Sequence, residues 1–205
     1  MSYKTIRNRT EASFTEKKSE FIGYISPAGT EKEAIGFINE IRAMHRKATH
    51  NCYAYILRNN NTGRHSDDGE PGGTAGMPIY DVLSKNGITD VVCVVTRYFG
   101  GILLGTGGLV HAYSKGASMA LANAEIVNME VADSLKISCD YTMYGIVNSV
   151  LPEFESIIRD TEFTDGVCIY ADVKTELTES LTAKLTDRCN GKVRIEKLKS
   201  GYVEF

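Results

Sequence analysis

Apolar residues recur along this chain with three different periods, and each period predicts a type of element. Val91 to Val95 is a continuous apolar, mostly β-branched run (VVCVV), which predicts a strand covered on both faces. Between His50 and Arg58 the apolar side chains Tyr53, Tyr55 and Leu57 alternate with Cys52, Ala54 and Ile56, so this strand too is expected to be covered on both sides. Helical spacing follows Thr30: Ala34, Ile35, Ile38, Ile41 and Met44 fall on one stripe, and Thr30 with Glu33 forms a capping box at its start. Residues 13–25 read as extended, with a hairpin around Lys17-Lys18-Ser19. Turns are expected at Pro27-Ala28-Gly29, Asn59 to Gly63 and Asn86-Gly87, a short strand at Arg64-His65-Ser66, and a short helix from Pro78 to Leu83. After Ser134 the pattern is plainer: strand 135–140, helix 144–158, strands near Glu162-Phe163 and over 167–173, helix 178–189 and strand 192–198. That βαββαβ order predicts two helices packed on one face of a four-stranded antiparallel sheet.

Glycine breaks the pattern in one region. Twelve of the 19 glycines lie between Gly63 and Gly116. The densest run, Gly100-Gly101 through Gly105, Gly107 and Gly108, follows the buried strand and leads into a helix expected from about Leu109. A strand, a glycine turn and a helix start leave free backbone N–H groups where an anion can dock. The familiar nucleotide motifs fail here, since Val110 replaces the third glycine of one and Thr106 stands where the other needs lysine. Two readings stay open: an anionic ligand at the turn, assisted by Arg97 and Lys115, or glycines that let helix and sheet backbones pack closely.

Composition narrows the class. The chain has 205 residues, 42% apolar and 24% charged, with net charge −3, all of which comes from residues 134–205. Bulk charge therefore excludes a polycation, and any nucleic-acid contact needs a local patch. No apolar run approaches the length of a membrane span, and the N-terminus is too polar for a secretory signal, so the expected location is cytoplasmic. The five cysteines (Cys52, Cys93, Cys139, Cys168, Cys189) form no C-x-x-C pair and are read as inert thiols.

Candidate chemistry falls in three groups. Arg46, His50, Arg64, Arg97 and Tyr98, with Gly100, Gly101, Gly105, Gly107, Gly108 and Lys115, combine cations, an aromatic and open backbone suited to a phosphate or nucleic-acid backbone. Asp67, Asp68 and Glu70 form an acidic loop, open to two readings: metal or acid–base work, or capping of backbone N–H groups in a tight turn. His45, His50 and Cys52 lack a fourth ligand for zinc, and no G-x-S-x-G or H-E-x-x-H motif is present. Neither a catalytic residue nor a metal ligand is assigned.

Four blocks carry a resemblance: Ala48-Thr49-His50-Asn51-Cys52-Tyr53-Ala54-Tyr55; Ser66 to Ile79 (SDDGEPGGTAGMPI); Thr96 to Leu109 (TRYFGGILLGTGGL); and Ala112-Tyr113. Together they resemble the IMPACT/YigZ family. The resemblance implies an α+β protein: residues 1–133 an IMPACT-type, ribosomal-protein-S5-domain-2-like domain, similar also to domain IV of elongation factor G, and residues 134–205 a ferredoxin-like domain of the kind found in bacterial members. Both likenesses point toward RNA and translation. The expected function is that of a binding regulator of translation, more an RNA or ribosome binder than an enzyme. The expected partners are RNA, the ribosome or a protein of the translation machinery; a small-molecule ligand stays open, and no membrane and no cofactor are expected. The rival readings are a metal-dependent hydrolase or Xaa-Pro peptidase built on Asp67, Asp68 and Glu70, a label some bacterial members carry, and a protein–protein adaptor.

Overall fold

The computed structural model describes residues 2–59 and 62–205, so the turn expected at Asn59 to Gly63 lies partly outside the described residues. The chain folds as two units, Tyr3–Val127 and Asn128–Phe205.

In the first unit, β1 (Tyr3–Ile6) precedes the hairpin β2 (Thr10–Glu16) and β3 (Ser19–Pro27). Lys17 and Lys18 make its two-residue turn, both at positive φ, which matches the right-handed twist of the strands it joins. Next come α1 (Glu31–Met44), β4 (His50–Leu57), β5 (Thr62–Ser66), α2 (Gly76–Lys85), β6 (Val91–Tyr98) and α3 (Gly105–Ala122). The sheet order is β2-β3-β6-β4-β5, antiparallel throughout.

Both faces of that sheet are covered, as the unbroken apolar run of β6 requires. Val91, Cys93 and Val95, with Cys52, Ala54 and Phe21, pack under α2 and α3. Val92 and Val94, with Tyr24, Tyr55 and Leu57, pack under α1. The capping box of α1 forms: Glu33 donates its N–H to Thr30 Oγ1, while Glu33 Oε2 accepts from the N–H groups of Thr30 and Gly29. The buried stripe of α1 is Ala34, Phe37, Ile38 and Ile41, whereas Ile35 and Met44 are exposed. Phe37 completes the i, i+3, i+4, i+7 spacing and was absent from the stripe read in the sequence. Helix α3 starts four residues before the expected Leu109, because Gly105, Gly107 and Gly108 themselves build its first turn.

The second unit contains most of β7 (Ile126–Cys139), then α4 (Tyr141–Val150), β8 (Ile157–Phe163), β9 (Val167–Lys174), α5 (Thr178–Arg188) and β10 (Val193–Glu204). Its four strands lie antiparallel in the order β10-β7-β9-β8, and α4 and α5 share one apolar core with them through Val147, Val150, Leu181 and Leu185. This is the ferredoxin-like arrangement, and the protein is α+β. The helix expected over 144–158 ends instead at Val150: Pro152 confines the chain to a 3-10 turn over Leu151–Phe154, and Glu155 adopts positive φ before β8 begins.

Asp133 fastens this unit internally. It is buried in β7, where Oδ1 accepts from Thr175 Oγ1 (3.0 Å), Ser200 Oγ (2.8 Å) and Lys197 Nζ (2.8 Å), and Oδ2 from Thr178 Oγ1 (2.9 Å). Burial opposes ionisation, but the bonds from Lys197, Ser200, Thr178 and Thr175 outweigh it and hold the carboxyl down at about 2.

Candidate functional site

The period of 2 along β6 decides which candidate residues meet. Arg97 stands opposite Phe21 of β3 and His50 of β4, on the face covered by α2 and α3. Tyr98 points to the other face, where its hydroxyl bonds to His45 Nδ1 at 2.9 Å while His45 Nε2 meets the Tyr24 hydroxyl at 2.7 Å.

The Arg97 side chain is only 6% exposed. It donates from Nη1 to Glu70 Oε1 at 2.7 Å and from Nη2 toward Ser19 Oγ at 3.5 Å. Its guanidinium carbon lies 5.5 Å from the Phe21 ring centre and 5.3 Å from that of Phe99. Its Nε is buried and has no hydrogen-bond partner among the described residues.

Glu70 gathers the surrounding elements. The same Oε1 accepts from the Tyr113 hydroxyl of α3 at 2.7 Å, and His50 Nε2 stands 3.8 Å away. His50 Nδ1 lies 2.8 Å from the Asp68 carbonyl. A carbonyl only accepts, so Nδ1 carries the proton and Nε2 is the nitrogen turned toward Glu70. Burial pushes the Tyr113 phenol far up, so it stays a neutral donor.

The other two carboxylates of the acidic loop hold backbone. Asp67 accepts from the N–H groups of Gly73 (2.8 Å), Ala75 (3.0 Å) and Gly76 (2.8 Å), which anchors the start of α2. Burial works against its charge, yet the bonds from Gly73, Gly76 and Ala75 together hold the carboxyl below its usual value. Asp68 accepts from Asn51 N–H (2.7 Å) and Arg42 Nη2 (2.7 Å). Of the two readings of this loop, the geometry supports backbone capping, with Glu70 as a separate buried anchor. Among the described residues no group of three or more His, Cys, Asp or Glu is placed to hold a metal ion. The three carboxylates are committed to protein donors, and this arrangement does not favour a hydrolase built on them.

The glycine turn divides in two. Gly100 is there for packing: a Cβ would overlap the Lys18 carbonyl, and the Gly100 N–H donates to Ser19 Oγ at 3.1 Å. Gly105 and Gly107 face open space, and Gly105 takes φ +74°, which only glycine adopts without strain. Among the described residues no side chain caps the start of α3.

Between these parts lies a cleft of ≈ 450 Å³, lined by Thr49, His50, Glu70, Pro71 and Arg97 and by Phe99, Leu103, Leu104, Gly105, Thr106 and Leu109. Its rim is apolar and open: Phe99 is 46% and Leu103 82% exposed. Of the residues singled out in the sequence, Arg97, His50, Glu70 and Gly105 meet here. Arg64 does not; it pairs with Glu31 at 3.3 Å on the edge strand β5. Lys115 lies over the Phe14 ring at 4.3 Å, and Arg46 is exposed in the turn before β4. Sequence reading missed Ser19, Thr49, Leu103, Leu104 and the role of Tyr113. The last had a signal: a tyrosine in the small-residue stripe of α3 has to find a partner for its hydroxyl.

Fold and site together define a two-unit α+β protein whose N-terminal unit carries a half-apolar cleft anchored by a buried Arg–Glu–Tyr network. Residues 17–121 match the family profile described as the Impact N-terminal domain, and residues 137–192 that of a domain of unknown function (DUF1949). The chain is 37% identical over 204 residues to the IMPACT family member YvyE of Bacillus subtilis, covering 99% of this chain and 94% of that protein. To the IMPACT family member YigZ of Escherichia coli it is 31% identical over 182 residues, covering 87% and 89%. A crystal structure of a hypothetical protein, 29% identical, superimposes with a TM-score of 0.63 over 97% of this chain and 98% of that one. The chain belongs to the IMPACT family.

Proposed function

We propose that this protein binds RNA in the cytoplasm as a regulator associated with the translation apparatus, and that it does so with one end of the N-terminal sheet. One observation carries this reading. The uncapped start of α3 and the exposed Phe99 ring sit beside four exposed cations, Lys17 and Lys18 at the β2–β3 turn and Arg46 and Lys47 in the turn before β4. Those turns are held to the glycine segment: Gly100 packs on Lys18, and the Phe99 N–H donates to Thr49 Oγ1 at 3.0 Å. Cations hold a phosphate backbone, and an exposed ring stacks a base. A local cationic rim on a unit of small net charge is what selective backbone binding needs.

Filter binding of short single-stranded RNA across a salt series tests this. Affinity should fall steadily with salt, and glutamine at Lys17, Lys18, Arg46 and Lys47 should lower both affinity and salt slope. Phe99→Ala should lower affinity and leave the slope unchanged. Absence of binding at low salt, or affinity indifferent to both sets of variants, would overturn the reading. Co-sedimentation with ribosomes from a lysate, lost in the four-cation variant, would place the RNA in its cellular setting.

A further inference from the structure

We infer that the ≈ 450 Å³ cleft reads one unstacked guanine of a bound RNA, with the donor edge of the base toward Glu70 and His50 and its ring against Phe99. This rests on the RNA-binding reading and adds which base enters the cleft.

Two acceptors at the cleft are left without a donor. The Glu70 side chain is 3% exposed, and its contacts with Arg97, Tyr113 and His50 all fall on Oε1. Oε2 accepts no hydrogen bond from the described residues, yet the one sealed side-chain atom without a partner among them is Arg97 Nε. The small surface that Glu70 keeps therefore includes Oε2, and Glu70 lines the cleft. His50, which also lines it, supplies the second acceptor. Its Nδ1 donates to the Asp68 carbonyl at 2.8 Å, so Nε2 carries the lone pair. That lone pair meets no donor among the described residues; it faces Glu70 Oε1, itself an acceptor, at 3.8 Å. Polar groups this far inside a protein are ordinarily paired. Water serves both in the free protein, and a ligand with the right donors replaces it.

The surroundings decide what kind of donor fits. Arg97 Nη1 already neutralises Glu70 at 2.7 Å, so a cationic ligand finds no free negative charge and stands against a guanidinium. A neutral donor is therefore favoured. The walls suit a flat apolar ring: Phe99 is 46% and Leu103 82% exposed, and Pro71, Leu104 and Leu109 line the rest. Bases of single-stranded RNA are bound in this way, stacked on an aromatic and hydrogen-bonded at the Watson–Crick edge. Guanine sets two donors side by side on that edge, N1–H and the N2 amino group. Adenine and cytosine set one amino group beside a ring-nitrogen lone pair, and uracil flanks its N–H with carbonyls. Each of those three turns a lone pair toward a pair of acceptors. The volume falls within the ~300–1,000 Å³ typical of small-ligand sites.

Filter binding of short oligouridylates that carry a single central guanosine or inosine tests the inference. Guanosine should raise affinity about tenfold over the all-uridine strand. Inosine lacks only the N2 amino group and should forfeit most of that gain. Glu70→Gln keeps an oxygen for Arg97 and Tyr113 and sets an amide N–H2 where Oε2 stood. It should reverse the preference, so that inosine binds no worse than guanosine, whereas a loosened fold would weaken all strands together. Equal affinity of the wild-type protein for the guanosine and inosine strands overturns the inference, whether or not the variant folds. Free guanosine should also shift the Phe99 amide and His50 ring signals of the full chain in NMR titrations. Uridine or butylamine moving those signals as far as guanosine does would overturn it too. Salt-dependent RNA binding with no guanosine preference would sink the pocket and spare RNA binding. Guanosine in the cleft without salt-dependent RNA binding would do the reverse.

Discussion

Replacing Glu70 by alanine strips the counter-charge from a buried cation, and its cost can be worked from the geometry. Oε1 accepts from Arg97 Nη1 and from the Tyr113 hydroxyl, each at 2.7 Å. Arg97 is 6% exposed at its side chain, and Tyr113 is fully buried. Breaking a buried ion pair by removing one partner costs ~3–5 kcal/mol. An unpaired buried hydroxyl adds ~1–3 kcal/mol. Arg97 borders the open cleft and can recruit water, so the lower part of the range applies and the sum is about 4 kcal/mol. That is a large share of the ~5–15 kcal/mol that holds a domain folded. The chain has no tryptophan, so native-state amide exchange is the better assay. At ~1.4 kcal/mol per decade, protection of Val92 to Val95 in β6 should fall about a thousandfold. Ile137 and Ile169 in the second unit serve as the internal control and should keep their protection. Arg97→Met added to Glu70→Ala removes the orphaned cation and should restore most of the loss. A fall of less than tenfold, or a double variant no more protected than the single one, would refute the account of the network as a buried, charge-compensated anchor.

Asp133 makes the second unit acid-sensitive. Its native value of about 2 lies below the ordinary 3.8, so its stabilisation is fully present above the ordinary value and is lost as pH falls through the native one. The gap corresponds to about 2.5 kcal/mol; Asp133→Asn should flatten the fall in thermal midpoint between pH 5 and pH 2, and an unchanged profile would contradict the assignment. Gly100→Ala should cost about 1–3 kcal/mol by forcing the β2–β3 turn away from the loop, while Gly107→Ala, whose Cβ meets nothing, should leave the melting temperature unchanged or slightly raised. Thiol titration of the native protein with Ellman's reagent should find at most Cys139 and Cys168, since Cys52, Cys93 and Cys189 are buried and burial pushes the Cys93 thiol up to about 12. Rapid reaction of all five would show that the core is open.

Local chemistry made much of this fold legible. The capping box of α1, the hairpin at Lys17-Lys18 and the βαββαβ order of the second unit are short-range patterns, and each occurs where it was read. The misread helix over 144–158 had its warning in Pro152, which local pattern-matching set below the apolar spacing on either side. The site was legible residue by residue but not as an assembly. Arg97, Glu70 and His50 each drew notice, yet nothing local says that an acidic loop will fold back over β6 and meet it. Tyr98 was grouped with Arg97 although adjacent residues on a strand face opposite ways. The divided role of the glycine turn, Gly100 packed on Lys18 and Gly105 left open, is set by tertiary approach and has no signature in spacing.

The anchor at Glu70 also governs when the cleft comes into being. Its parts come from Ser19, His50, Glu70, Arg97 and Tyr113, so every contact that shapes it spans a long stretch of chain. Long-range contacts of this kind form late, after the loops between them have closed. During synthesis, a chain that has not yet exposed Tyr113 already carries the cations at 17, 18, 46 and 47 but has no finished pocket. Under the proposed RNA-binding role, nascent or truncated chains would hold RNA by charge alone, before α3 has docked and its tyrosine has reached the buried carboxylate.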